Sequence, residues 1–111
     1  RSIADVFGTD PDVTSFLVTG QDAEVPSVQY IIDGKQSMTV FKDVRTLVAD
    51  AIAAAVALLT DEAPNATGAY DNGAIEVPAI QSPVVTVTAD NVVEALIDSG
   101  YYSADEFTGL P

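Results

Sequence analysis

Two side chains in this sequence have a type and a setting that suit ligand chemistry. Asp22 follows the run Val18-Thr19-Gly20-Gln21, and Lys42 follows Met38-Thr39-Val40-Phe41. Each is among the first residues beyond an apolar stretch that reads as a strand, and in open α/β sheets ligands bind beyond the carboxyl ends of the strands. A carboxylate accepts hydrogen bonds from neighbouring hydroxyls and an ammonium donates several, so together they suit a polyol, which offers both donors and acceptors. Each charge-assisted bond of this kind is worth about 1.5–3 kcal/mol net. A plainer reading stands beside this one: Asp22 caps the helix that follows it, and Lys42 is a solvated charge or the ion-pair partner of Asp22. Residue types and spacing leave both open.

Little other chemistry is available. The chain has no Cys, no His and no Trp, which removes thiol nucleophiles, imidazole bases, the usual serine triad and the usual zinc sites. One acid without a partner acid, metal or imidazole at matching spacing is no catalytic mechanism, so no catalytic residue, metal ligand or cofactor is expected. The other acids, among them Glu24, Asp43, Asp50, Asp61, Glu62, Glu94 and Asp98, fall at helix ends or on polar faces and read as solvated charge. Asp71-Asn72-Gly73 has the opening of a calcium loop without its ladder of oxygen ligands or closing Glu. Asn65-Ala66-Thr67 matches the glycosylation pattern, a weak signal. Tyr101 and Tyr102 could stack on a ring, although near a chain end they more often cover a sheet edge. Four Lys and Arg against 17 Asp and Glu give a formal net charge of -13. Such a surface repels phosphate backbones and anionic lipid, so nucleic acid is not an expected partner.

The elements that must position Asp22 and Lys42 can be read from periodicity and breakers. Ser15 to Gly20 reads as a strand buried on both faces. Ala23 to Asp33 carries apolar residues at helical spacing (Val25, Val28, Ile31, Ile32), with Pro26 in the first turn and Gly34 as terminator. Ser37 to Phe41 is a second strand, rich in β-branched and aromatic types. Strand, helix, strand is the parallel crossover unit, which places both carboxyl ends on one edge of the sheet. Upstream, Arg1 to Phe7 is a short helix without an N-terminal cap, followed by turn chemistry at Gly8 to Asp12.

Downstream, Asp43 caps a helix from Val44 to about Leu59, whose alanines predict close packing on a sheet. Thr60 to Gly73 reads as a polar connection. Glu76 to Val87 reads as two extended pieces with a bend, since Pro78 and Pro83 argue against one central strand. Thr88 or Asp90 then caps a helix that buries Val92, Val93, Leu96 and Ile97 and ends at Gly100, and one more helical turn is expected at Ala104 to Phe107. With 111 residues and 48% hydrophobic content the chain can build a core and is no disordered acidic tail. The longest oily stretch, Leu47 to Leu59, contains Asp50 and falls short of a bilayer span. The first residues lack the pattern of a signal peptide.

These residues also resemble a known family. Val18 to Glu24, Val28 to Gly34, Met38 to Asp43, Asn72-Gly73, Val77-Pro78, Pro83 to Asn91 and Ile97 to Tyr102 are similar, in order along nearly the whole chain, to the C-terminal part of the xylose-binding protein group of sugar ABC-transporter receptors. The resemblance implies an α/β fold: a Rossmann-like parallel sheet with flanking helices, a C-terminal fragment of a two-lobed type I periplasmic binding protein. It implies a function, binding a monosaccharide (a xylose-like pentose or a hexose) and delivering it to an ABC transporter permease, without catalysis. It implies substrate-binding roles for Asp22 and Lys42, since in that family the Asp after Gly-Gln and the Lys that ends the Met-Thr-Val-aromatic strand contact sugar hydroxyls. An extracytoplasmic location, periplasmic or lipid-anchored at the cell surface, is expected with it.

The resemblance also implies a path. Residues 1–42 would be part of the C-terminal lobe, 43–77 a hinge crossing and a helix packing on the N-terminal lobe, and 78–111 the return crossing and C-terminal helix. Members of the group are much longer than this chain, and the helix from Val44 would then lack the sheet it covers. A fragment of a receptor is expected, with the missing N-terminal part of the same protein or a second copy of the fragment as a further partner. The alternative is an independent α/β interaction or assembly module with no sugar ligand.

Overall fold

The computed structural model describes residues 1–111. The chain divides into two compact units, residues 1–41 with 84–111, and residues 42–83.

In the first unit the order is α1 (Ser2–Thr9), β1 (Thr19–Gln21), α2 (Val25–Ile32), β2 (Met38–Lys42, whose last residue begins the second unit) and the later strand Val84–Val87. β1 and β2 are parallel, with Thr19 opposite Met38, Gly20 opposite Thr39 and Gln21 opposite Val40. β2 is the middle strand, hydrogen-bonded to β1 on one side and to Val84–Val87 on the other. The expected crossover β1-α2-β2 is therefore present. Pro26 sits in the first turn of α2, where its missing N–H costs nothing, and Gly34 at φ +73 supplies the left-handed residue that ends it.

β1 is shorter than the sequence suggests. The apolar run from Ser15 predicts a strand covered on both faces, yet only Thr19–Gln21 pairs, and Leu17 is 85% exposed. The ladder reaches back only to Val18, whose carbonyl accepts from Ser37 N–H at 2.8 Å. Without a partner strand further upstream, composition alone does not make one.

The core of this unit is built from Val28, Phe41, Val87, Val92, Leu96 and Phe107, with Ala23 at its edge. Burying residues of this size contributes roughly 1.5–3 kcal/mol each before entropy is subtracted. Edge-to-face ring contacts run from Phe41 to Tyr101 (4.6 Å between centroids), to Tyr102 (4.9 Å) and to Phe107 (5.6 Å). The two tyrosines thus extend the core. Burial raises the Tyr102 phenol above its ordinary pKa, and its hydroxyl donates to the Ala23 carbonyl at 2.8 Å.

The helix expected after Thr88 is a π-helical turn, Val93–Asp98, with Val92 and Leu96 fully buried and Val93 and Ile97 only partly so. Neither Thr88 nor Asp90 is its N-cap. Instead the Asn91 carboxamide closes the approach, accepting from Thr88 N–H at 2.8 Å and donating to the Thr86 carbonyl at 2.9 Å. The final turn, Ala104–Glu106, is a 3-10 helix with a capping box between Ser103 and Glu106.

The second unit contains α3 (Val44–Leu59) and the strands β3 (Gly68–Asp71) and β4 (Glu76–Ala79). The segment read as a polar connection therefore holds a strand. β3 and β4 form an antiparallel hairpin with Asp71 opposite Glu76 and Gly68 opposite Ala79. Its turn is closed by side-chain oxygens: Asp71 Oδ1 accepts from Gly73 N–H, and Asn72 Oδ1 from Ala74 and Ile75 N–H, at 2.8–3.0 Å. Pro78 is tolerated because both strands of a two-stranded sheet are edges.

α3 begins as expected. Asp43 accepts from Arg45 N–H at 2.9 Å, and the same carboxylate takes two-pronged bonds from the Arg45 guanidinium, at 2.9 Å from Nε and 2.7 Å from Nη2. The close packing on a sheet that its alanines predict is absent: no residue of α3 is buried, and Ile52 is 60% exposed. Asp50 accepts from Ser82 Oγ at 3.2 Å, tying the helix to the segment after β4 beside a groove of about 340 Å³ lined largely by Leu47, Ala51, Ala54, Pro64 and Pro78.

The hydrogen bond from Arg45 lowers the Asp43 pKa from the ordinary carboxylate value. A depressed pKa stabilises the fold above about pH 4, and this contribution disappears as pH falls through the depressed value. In Asp43→Asn the acid-induced loss of stability should therefore shrink, with a thermal midpoint about 1–3 °C lower than wild type at pH 7 and a narrower gap at about pH 3. Thermal denaturation at the two pH values measures this, and an unchanged gap would rule the ion pair out as a source of acid sensitivity.

Candidate functional site

The parallel pairing of β1 and β2 sets the geometry at their carboxyl edge. Asp22 lies one residue past the last paired residue of β1, and Lys42 two residues past it on β2, where that strand ends. Asp22 therefore stands at the carboxyl edge of the strand pair, while Lys42 is the first residue of the second unit. Asp22 is exposed and Lys42 is partly buried. The N-cap position of α2 belongs to Glu24, two residues after Asp22, and makes no side-chain cap bond.

The backbone of Asp22 is unusual. Its φ is +67°, and Asp61 is the only other non-glycine residue on that side of the Ramachandran map. A side chain with a Cβ pays about 1 kcal/mol to sit there, Asp and Asn less than most. Two bonds from β2 hold it: Asp22 N–H donates to the Val40 carbonyl at 2.9 Å, and the Asp22 carbonyl accepts from Thr39 Oγ1 at 2.7 Å. Tyr102 holds the next carbonyl, that of Ala23. A glycine would take this conformation without strain, so the turn itself gives no reason for a carboxylate.

Beneath the turn lies a small buried polar layer. Thr39 is fully buried and Gln36 is 5% exposed, with Gln36 Nε2 donating to the Met38 carbonyl at 3.0 Å. Gly20 makes room for both: a Cβ there would lie 2.5 Å from Gln36 Nε2 and 3.2 Å from Thr39 Oγ1. Periodicity assigns Thr39 to a strand by its β-branching and Gly20 to a strand end. Their second role, packing a polar layer under Asp22, has no signature along the chain because the partners are distant in sequence.

No group of three or more His, Cys, Asp or Glu side chains is placed to hold a metal ion. In the Asp71-Asn72-Gly73 turn the side-chain oxygens bind local N–H groups. No helix is long and apolar enough to cross a membrane.

No family model matches the chain. It is 47% identical over 92 residues to a multiple sugar-binding periplasmic protein of Azospirillum brasilense, covering 82% of this chain and 26% of that one. It is 41% identical to a multiple sugar-binding periplasmic receptor of Rhizobium radiobacter, covering 81% of this chain and 26% of the receptor. Among solved structures, a carbohydrate transporter solute binding protein from Chloroflexus aurantiacus in complex with D-glucose is 74% identical, with a TM-score of 0.94. It is matched over all of this chain and 33% of its own length. An ABC transporter solute binding protein from Clostridium phytofermentans with bound β-D-glucose is 36% identical with a TM-score of 0.80, over 94% of this chain and 33% of its own. The chain thus spans about a quarter of the curated relatives and a third of the solved structures it matches.

Gly20→Ala should displace the Gln36 amide from the Met38 carbonyl and lower stability by about 1–2 kcal/mol. Chemical denaturation measures the loss, and a variant as stable as wild type would show that Gln36 yields freely.

Proposed function

We propose that this chain, a homologue of sugar-binding solute receptors of ABC transporters over a quarter to a third of their length, supplies two sugar contacts to such a receptor. The Asp22 carboxylate accepts from ring hydroxyls of a monosaccharide, and the Lys42 ammonium donates to sugar oxygens. The observation that carries this reading is a carboxylate held at φ +67° at the carboxyl edge of a parallel strand pair. Local strain kept at such an edge, where a glycine would relieve it, points to a use for the side chain. The sugar is a pentose or hexose, in keeping with relatives named for multiple sugars and with neighbours solved with glucose.

The receptor works outside the cytoplasm, hands its sugar to a membrane permease and performs no chemistry on it. Residues 1–41 with 84–111 belong to one lobe. The apolar face of α3, which has no fully buried residue, is covered by the remainder of the receptor polypeptide.

In the full-length receptor Asp22→Ala should weaken D-glucose or D-xylose binding by about tenfold or more, the loss of one or two charge-assisted bonds. Lys42→Met should weaken it to a similar degree. Titration calorimetry measures both, and wild-type affinity in Asp22→Ala would overturn the assignment of that carboxylate.

A further inference from the structure

Thr39 is a polar residue with no exposed surface in the middle of a strand, and its hydroxyl reaches across to the chain 17 residues away. A buried hydroxyl needs a partner, and here the partner is the carbonyl of Asp22, at 2.7 Å. Valine has nearly the same shape and the same strand preference, and would fill the site without a polar atom. The hydroxyl therefore matters for what it holds. It holds the carbonyl of the residue whose φ is +67°, while the N–H of that residue is held by Val40 in the same strand.

With Tyr102 bonded to the carbonyl of Ala23, the backbone on the far side is pinned as well. Loss of the Thr39 bond would leave Asp22 held through its N–H alone, free to rotate between two fixed points. A carboxylate that must meet fixed hydroxyls loses affinity once its backbone can relax into the ordinary right-handed or extended regions.

We infer that Thr39 is a positioning residue, a hydroxyl latch that keeps Asp22 in the left-handed conformation and so aims its carboxylate at the ligand. Gly20, where a Cβ would lie 3.2 Å from Thr39 Oγ1, leaves the latch its space. This inference rests on the sugar contact proposed for Asp22, and its test separates the two.

In the full-length receptor, Thr39→Val should weaken D-glucose binding about five- to thirtyfold by calorimetry while shifting the thermal midpoint by less than about 2 °C. Thr39→Ser, which keeps the hydroxyl, should return affinity to within about threefold of wild type. Combined with Asp22→Ala, Thr39→Val should add no further loss, since its effect passes through that carboxylate. In the sugar-free receptor, hydrogen–deuterium exchange in the peptide spanning residues 19–24 should quicken in Thr39→Val. Wild-type affinity in Thr39→Val with impaired Asp22→Ala overturns the latch and leaves the sugar contact standing. A loss in Thr39→Val that Thr39→Ser does not restore, or that adds fully to Asp22→Ala, also overturns it, as does unchanged exchange. Wild-type affinity in Asp22→Ala removes the premise and overturns both.

Discussion

The arrangement at the candidate site depends on a short piece of parallel pairing. Only three residues of β1 meet β2 in register, yet this contact brings the ends of two strands separated by a helix to one edge. Parallel strands cannot be joined by a tight turn, so α2 must cross over between them. The pairing holds because β2 alternates buried and partly buried residues along its length, with Thr39 under the β1 turn and Phe41 in the core. A slip of one residue would exchange these two faces.

The turn after β1 shows how a tertiary environment enforces a locally unfavourable conformation. Asp22 has a backbone that an isolated peptide would rarely adopt. What enforces it is a set of partners from two other segments, Thr39 and Val40 on one side and Tyr102 on the other. These bonds are in turn supported by packing, since Tyr102 is wedged between Tyr101 and Phe107. A residue near the end of the chain thereby acts on a turn near its beginning.

The two units contrast in how they are stabilised. The first has a contiguous core in which Val28, Val87, Val92 and Leu96 are wholly shielded from water. The second has a well-capped helix and a well-closed hairpin but no buried residue in either. Local devices such as the Asp43 cap and the Asn72 turn can define elements without supplying the apolar burial that makes a unit stable. Sequence signals of the first kind are strong here, and they say nothing about whether a covering surface lies within the same chain.

Legible along the chain was whatever is decided within a few residues. The limits of α3 follow from Asp43 and helical periodicity, the end of α2 from Gly34, and the break between the two later strands from Pro83. The crossover order followed from these, and the succession of residues around Gln21-Asp22 and Phe41-Lys42 carried the family resemblance. Where the sequence misled, a partner was the deciding factor. Ser15 to Leu17 had the composition of a strand and no ladder to join, whereas Gly68–Asp71 had the composition of a loop and gained a strand from its pairing with Glu76–Ala79. Tertiary contacts alone decided the left-handed backbone of Asp22, the Thr39 hydroxyl beneath it and the space at Gly20, because each depends on meetings between segments that periodicity and capping, which act over a turn or two of chain, do not reach.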